Sequence, residues 1–317
     1  MKTTAVVLER PEHLALTSLD LEPAGVSDLV VAIEWSGIST GTEKLLWNGR
    51  MPEFPGMGYP LVPGYESVGR VVAAGPQTAM AVGQRVFVPG ARCFGEVRGL
   101  FGGAASRLVV PESRVFALSE QQGEGAVLMA LAATAYHAVA SAGQREHPVP
   151  PDLIVGHGML GRLLALMTVL GGYPAPTVWE LNPVRAEGAS GYQVLRPEDD
   201  PRRDYRAIYD VSGDSQILDT LVQRLAPGGE IVLAGFYSEK LAFSFAPAFM
   251  REAQIRAAAE WKRPDMLAVQ QIVESGLLPL NDLITHHVDA TCAPEAYRTA
   301  FEDSHCLKMV LDWRSCQ

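Results

Sequence analysis

A chain of 317 residues has room for two domains of about 100–200 residues each. Its 48% hydrophobic and 20% charged residues are those of an ordinary globular protein, and a net charge of −10 argues against nucleic acid or an anionic membrane surface as the main partner. No apolar run approaches a membrane span, and Met1-Lys2-Thr3-Thr4-Ala5 leads into a strand-like stretch instead of a secretory signal, so a cytoplasmic location is expected.

In chain order, the part up to about residue 120 reads as β-rich. Its strands by residue type are Ala5 to Leu8, Leu29 to Ile33, Val68 to Gly75, Arg85 to Val88, Leu108 to Val110 and Val115 to Leu118, with glycine and proline between them. The pattern changes near residue 123. Gly125 to Ala138 is alanine-rich and reads as a helix. A strand–helix alternation follows, which predicts an α/β domain with a doubly wound parallel sheet.

The most informative stretch opens that alternation. The apolar run Leu153-Ile154-Val155 is followed by Gly156-His157-Gly158-Met159-Leu160-Gly161, then by the helical Arg162 to Leu170, then by a second short strand, Thr177 to Glu180. This is the layout a dinucleotide needs. Gly156 permits the turn, Gly158 lets the backbone approach the pyrophosphate, and Gly161 lets helix and strand pack closely. The phosphates then meet the free N–H groups at the helix start, where Met159 and Leu160 stand. Glu180, nineteen positions past Gly161, is placed to accept hydrogen bonds from the adenosine ribose and to repel a 2′-phosphate, which favours NAD over NADP. His157 occupies a position whose backbone does the binding and is not expected to be catalytic.

Further along, Ala207 to Val211 reads as a strand. Leu225 to Gly229 ends a helix and turns into the strand Glu230 to Gly235, and Ile255 to Ala259 closes the sheet. Val211, Ala234 and Gly235 thus end strands at the carboxyl edge, where open α/β sheets bind ligands. The tail reads as a helix (Pro264 to Ser275), the segment Leu283 to His287, another helix, and a last strand from Lys308 to Trp313. The four cysteines, Cys93, Cys292, Cys306 and Cys316, lack CxxC spacing and read as reduced thiols.

Several motifs recur together: Ser36-Gly37-Ile38 with Gly41-Thr42-Glu43, Pro63-Gly64-Tyr65-Glu66 with Gly69 and Val72, Gly83-Gln84-Arg85-Val86, Thr134-Ala135-Tyr136, and the glycine turn. On these the chain resembles the medium-chain dehydrogenase/reductase family over essentially its whole length. The resemblance implies a GroES-like β-barrel catalytic domain (1–122), an inserted Rossmann NAD-binding domain (123–262) and a segment that returns to the catalytic domain (263–317). It puts the nicotinamide in the cleft between the domains, with Thr134 against it. Arg185 either reaches the adenosine end or is a solvated surface charge. A narrower likeness is carried by Trp35 to Glu43, by Leu45-Leu46-Trp47 through Glu66, and by Val88 to Gly95. It implies oxidation of a small-molecule secondary alcohol, a 1-hydroxyethyl substituent on a magnesium bacteriochlorin, with NAD as hydride acceptor. Two other readings stay open. One is a zinc-free reductase of quinone or enoyl type, which Glu180 opposes because such enzymes mostly use NADPH. The other is a non-catalytic protein that binds NAD or a tetrapyrrole. Family members are usually dimers or tetramers, so a homodimer is among the expected states.

Zinc-binding members of the family hold their metal through Cys, His and Cys. At the matching positions this chain has Ser39 or Thr40, Tyr65 and Ala130. A hydroxyl, a phenol and a methyl group do not make the thiolate and imidazole set zinc prefers, so no metal is expected. A side chain must then take the alcohol proton. The candidates are Thr40, Lys44, Tyr65 and Glu66, with Tyr65 first. A free phenol pKa of about 10 is too high for a base at neutral pH, and a nearby Lys44 ammonium is expected to lower it. Alternatively Tyr65 only fills the metal cavity. Glu66 is expected to make a structural hydrogen bond. Trp47, Met51, Phe54, Met57 and Tyr59 either form an apolar wall for a flat macrocycle or pack their own loop on the barrel. His137 reads as a partly buried, satisfied histidine, and His286 and His287 as structural.

Overall fold

A computed structural model of the chain describes residues 1–53, 55–140 and 149–317. It divides into two compact units, Met1–Ala130 with Pro279–Gln317, and Leu131–Leu278.

The first unit begins with β1 (Lys2–Arg10), β2 (His13–Asp20) and β3 (Asp28–Ile38), then α1 (Thr42–Trp47). It continues through β4 (Leu61–Val62), β5 (Ser67–Ala74), β6 (Arg85–Val88), β7 (Arg98–Gly99), β8 (Arg107–Pro111) and β9 (Phe116–Ala117). A 3-10 stretch, Glu124–Leu128, leads out of it. β3 is the central strand. Its run Leu29-Val30-Val31-Ala32-Ile33 is buried throughout because it pairs antiparallel with both β5 and β8. A second sheet, in the order β2-β1-β4-β7, shares the same core, in which Val6 and Ala5 meet Ile33, Val86 and Leu108.

The second unit holds α2 (Met129–Ala140, from its third residue), β10 (Leu153–Val155), α3 (Met159–Leu170), β11 (Thr177–Trp179), α4 (Pro183–Ala186) and β12 (Gln193–Leu195). Then come β13 (Tyr205–Asp210), α5 (Leu218–Arg224), β14 (Leu225–Leu233), α6 (Phe245–Met250), β15 (Gln254–Ala257) and α7 (Arg263–Glu274). The sheet is parallel in the order β12-β11-β10-β13-β14-β15. Strand order reverses between β10 and β13, which opens a crevice at their carboxyl ends, the usual ligand position of this fold. The chain then returns to the first unit as β16 (His286–Asp289), α8 (Ala293–Glu302) and β17 (Met309–Asp312), where β17 pairs with β3.

Several features depart from the expectations above, among them the short strands β4, β7 and β12, which were not expected. β2 was not among the expected strands; its Leu14, Leu16 and Leu19 only partly bury against the core, which blurs the alternation. The alanine-rich helix begins as the 3-10 stretch, held within the first unit by the Gly125 N–H on Asn281 Oδ1 at 2.9 Å. α5 stops at Arg224 because Leu225 already pairs with Tyr205, before the ladder slips at Pro227-Gly228 and resumes at Glu230. The second unit extends to Leu278 because α7 belongs to it, tied by His137 Nδ1 to Asp265 Oδ2 at 2.8 Å.

Candidate active site

The crevice of the second unit is shaped by backbone contacts that only glycine permits. Gly156 has φ +103°, a conformation costly for any side chain. A Cβ on Gly161 would stand 1.9 Å from the Gly156 carbonyl oxygen, so the first turn of α3 rests directly on the end of β10. A Cβ on Gly158 would meet nothing within 4 Å: the space beside it is open, as a backbone that receives a pyrophosphate requires. Of the strand-end residues named from the sequence, Val211 lies against the turn, and Gly235 lies against Val211. Val211 donates its N–H to the Val155 carbonyl at 3.0 Å, and Ala234 and Gly235 both donate to the Asp210 carbonyl at 2.9 Å. Thr134 is half-buried on α2, and the first helical residues, Met159 and Leu160, follow Gly158 directly.

Glu180 lies just beyond β11 with its carboxylate fixed. Oε2 accepts the His157 N–H at 3.0 Å and Oε1 the Asn182 N–H at 2.8 Å. Each oxygen keeps a further lone pair, which suits a vicinal diol. The residues therefore fit a dinucleotide. His157 is fully buried, and burial together with the Arg162 guanidinium pushes its pKa down to about 4. The ring is thus neutral. Nδ1–H donates to the Arg185 carbonyl at 2.6 Å, which leaves Nε2 to accept the Tyr192 hydroxyl at 2.8 Å. Arg162, also buried, donates to the carbonyls of His157, Arg185, Glu187 and Gly188. The Arg185 side chain is half-buried, and it is this residue's carbonyl, not its guanidinium, that the clamp uses. One group absent from the sequence reading is Asp210 at the end of β13. It accepts from Ser212 N, Ser212 Oγ and Tyr237 OH, and burial raises its pKa.

In the first unit the places of the zinc ligands are filled by a hydroxyl cluster. Tyr65 OH donates to Ser39 Oγ at 2.6 Å, and the Thr42 hydroxyl also hydrogen-bonds the phenol. Ser39, not Thr40, is therefore the residue that faces Tyr65. The third ligand place, Ala130, is a buried methyl. This donor set does not fit zinc, and among the described residues no group of three His, Cys, Asp or Glu could hold a metal ion.

Beneath the hydroxyls lie two buried carboxyls. Glu66 is 0% exposed and pairs with Lys308 Nζ, 1% exposed, at 2.6 Å; that ammonium also donates to the Ile38 carbonyl at 3.1 Å. Gly37 makes the room, since a Cβ there would stand 2.2 Å from Glu66 Oε2. Burial raises the Glu66 pKa against the pull of Lys308, and its Oε1 has no hydrogen-bond partner among the described residues. Glu43, at the first turn of α1, accepts the Ser39 N–H at 3.0 Å and the Tyr297 hydroxyl at 2.9 Å. Burial, with Glu66 nearby, pushes its pKa up to about 8.

One expectation is corrected here, and one open alternative is narrowed. Lys44 does not lower Tyr65: its ammonium donates to the Phe301 carbonyl at 2.7 Å, while burial and the Glu66 and Glu43 carboxyls push the phenol pKa up. Tyr65 is thus a hydroxyl donor rather than a phenolate base. Of the residues offered either as an apolar wall or as packing of their own loop, Met51 is core, and Trp47, Met57 and Tyr59 are partly buried against it, in keeping with the second alternative. Met51 is buried among Leu8, Leu46, Leu61 and Leu100, Tyr59 OH donates to the Leu46 carbonyl, and Trp47 packs its ring 5.5 Å from Phe301. Met57 packs on the same cluster, and Phe54 lies outside the described residues. The ring of Tyr65 makes a T-shaped contact with that of Phe101, their centroids 5.3 Å apart at 90°. Ser39, Thr42, Glu43, Tyr297, Lys308 and Phe101 carry the cluster together with Tyr65. The signal available for the first three was the Gly-Thr-Glu run beside them; Lys308 stands at the head of the tail motif Lys308-Met309-Val310-Leu311, which also fits the family, and for Tyr297 there was none.

A barrel-type unit joined to a doubly wound sheet with a glycine turn and an acid just past the sheet's second strand defines the class: the chain belongs to the medium-chain dehydrogenase/reductase family, and residues 25–120 match the alcohol dehydrogenase GroES-like domain. It is 56% identical to the 2-desacetyl-2-hydroxyethyl bacteriochlorophyllide A dehydrogenase of Cereibacter sphaeroides, with 99% of each chain covered. To the Rhodobacter capsulatus protein of the same name it is 55% identical over 100% of both. Among solved structures it is similar to the L-idonate 5-dehydrogenase of Escherichia coli (18% identity, 98% of each chain, TM-score 0.84). It is likewise similar to an Escherichia coli alcohol dehydrogenase complexed with NADH (22% identity, 98% and 99% covered, TM-score 0.82).

Proposed function

We propose that this chain oxidises the hydroxyethyl side chain of a bacteriochlorophyllide to acetyl, with NAD as acceptor. The observation that carries the substrate is the full-length identity of 56% to a dehydrogenase named for it. Support for NAD comes from Glu180, whose two oxygens are aimed by the His157 and Asn182 N–H groups and would repel a 2′-phosphate. Similar folds have been crystallised with NADH and with NADP, so the choice rests on this carboxylate.

Bound NAD would supply the hydride acceptor, nicotinamide C4. The chain's own residues then have two tasks. Gly158, the N–H groups opening α3, and Glu180 hold the nucleotide at pyrophosphate and ribose. Ser39 and Tyr65 hold the carbinol oxygen and carry its proton away. Hydroxyl hydrogen bonds reverse by rotation. Ser39 Oγ accepts the substrate proton as it gives its own to Tyr65, which passes one to Thr42, and Thr42, partly exposed, releases its own to solvent water. No member needs to persist as an anion, in keeping with the raised pKa of Tyr65. The substrate's chemistry eases the task. Its carbinol carbon is bonded to a conjugated macrocycle, which delocalises the positive charge that develops as hydride departs. Full deprotonation before hydride loss, the service zinc gives elsewhere, is then less necessary.

The test is anaerobic incubation of chelator-treated protein with the hydroxyethyl pigment and either NAD or NADP. Absorbance of the macrocycle and reduced nucleotide are followed together. Turnover with NAD, stoichiometric in acetyl product, is expected. Turnover that vanishes on chelation and returns with zinc refutes the hydroxyl relay, and a preference for NADP refutes the role of Glu180.

A further inference from the structure

Arg98 is a seated cation without a counter-charge among the described residues. It opens β7, the terminal strand of the order β2-β1-β4-β7, and it is exposed. Its guanidinium rests on the loop that leads into β4. A Cβ on Gly58 would stand 3.0 Å from the Arg98 Cζ, so the glycine leaves room for it, and Nη1 donates to the Tyr59 carbonyl at 3.4 Å. The remaining N–H groups stay open. Arg70, Arg85 and Arg314 of the same unit, by contrast, are each paired with a carboxylate.

The strands carry this cation to a defined place beside the hydroxyl cluster. β4 and β7 run parallel, with Leu61 opposite Arg98. Tyr65 follows Leu61 by four residues, so it stands at most about 14 Å from the partner of Arg98. Phe101, three residues past Arg98, touches the Tyr65 ring and keeps part of its own ring open. One short ribbon thus runs from an unpaired guanidinium, past an accessible aromatic ring, to the phenol of the relay.

We propose that Arg98 binds a free carboxylate of the substrate, the propionate of the bacteriochlorophyllide. This rests on the oxidation proposed above. In that pigment the hydroxyethyl group and the propionate arm sit on neighbouring pyrrole-type rings, so the carboxylate stands a ring's width from the carbinol. With the carbinol at Ser39 and Tyr65, the arm reaches back along β7. A guanidinium meets a carboxylate with two parallel N–H bonds. An exposed pair of this kind is weak in water, but the fork geometry and the cover of the bound macrocycle strengthen it. Anchoring the far edge also fixes how the flat ring is turned, so that the hydroxyethyl group faces Ser39.

Two pigments separate this proposal from the reaction beneath it: the hydroxyethyl bacteriochlorophyllide and its propionate methyl ester. Binding to the full chain is read by quenching of tryptophan fluorescence, and oxidation with NAD by absorbance. The free acid should bind about 5–10-fold more tightly than the ester. Arg98→Gln should weaken the acid by that factor and leave the ester unchanged, which abolishes the preference. Arg92→Gln, at another exposed arginine six residues earlier, should retain it. Equal binding of acid and ester by the wild-type chain overturns the proposal, as does a preference that survives in Arg98→Gln or is lost equally in Arg92→Gln. An Arg98-dependent preference without oxidation of either pigment refutes the proposed reaction and leaves the carboxylate site standing; oxidation of both pigments without preference does the reverse.

Discussion

Replacing Lys308 by methionine should be among the most damaging single changes in the first unit. Lys308 and Glu66 are both essentially sealed from water, 1% and 0% exposed, and meet at 2.6 Å. Removing the ammonium leaves a carboxylate whose Oε1 already lacks a partner among the described residues. Breaking a buried pair from one side costs about 3–5 kcal/mol. At about 2–4 °C per kcal/mol for a unit of this size, the melting temperature should fall by about 10 °C. The pH dependence gives a second signature. Burial already raises the Glu66 pKa, and loss of Lys308 raises it further. A carboxyl raised on folding contributes its stability below its unfolded pKa and loses it as pH rises through the folded value. The deficit of Lys308→Met should therefore be small near pH 5 and grow toward pH 8. Glu66→Met combined with Lys308→Met removes both charges and should recover most of the loss. Thermal unfolding followed by tryptophan fluorescence, across pH, is the assay. A Lys308→Met deficit under about 1 kcal/mol at pH 8 would show that the pair is not desolvated as described.

Glu180→Gln should weaken NAD binding about 10–100-fold, the loss of a charge-assisted hydrogen bond worth about 1.5–3 kcal/mol, and narrow the gap to NADP in a fluorescence titration. Equal affinities before and after the change would remove Glu180 from recognition. Tyr65→Phe and Ser39→Ala should each lower kcat by about 100-fold or more with little change in KM, whereas Lys44→Met, whose ammonium only caps the Phe301 carbonyl, should leave turnover within about twofold. Full activity in Tyr65→Phe would leave the phenol as mere filler. Glu43, with its pKa pushed up to about 8, is neutral in the folded chain at pH 6 and should weaken the fold as pH rises from about 5 to about 8. Glu43→Gln should flatten that part of the stability profile; an unaltered slope in urea titrations would point to another group.

The glycine turn, the acid after the second strand and the parallel sheet were all legible, because each is a local pattern set by backbone sterics and strand–helix spacing. The hydroxyl cluster was legible only in part. Tyr65 and Glu66 stand in a motif, but their neighbours come from distant chain: Lys308 reaches Glu66 across 242 positions and Tyr297 reaches Glu43 across 254. An isolated lysine before Met309-Val310-Leu311 carries no mark of its destination. The Lys44 expectation failed for a geometric reason. One residue past Glu43 on a short helix, its side chain points away from the face that Glu43 buries. Aromatic and methionine content in the loop after Trp47 suggested a wall, yet composition does not tell an open apolar face from a core, and Met51 went inward.

The buried grip of His157 and Arg162 on the Arg185 carbonyl bears on any attempt to redesign coenzyme choice. It welds the glycine turn to the segment after Glu180, so the chain's own hydrogen bonds set the mould of that groove. A swap of the acid alone would loosen its own hold on the His157 and Asn182 N–H groups while leaving the His157 and Arg162 grip on the Arg185 carbonyl in place. Accepting a bulkier adenosine end means recasting residues 181–188 as one piece, together with the arginine that staples them down.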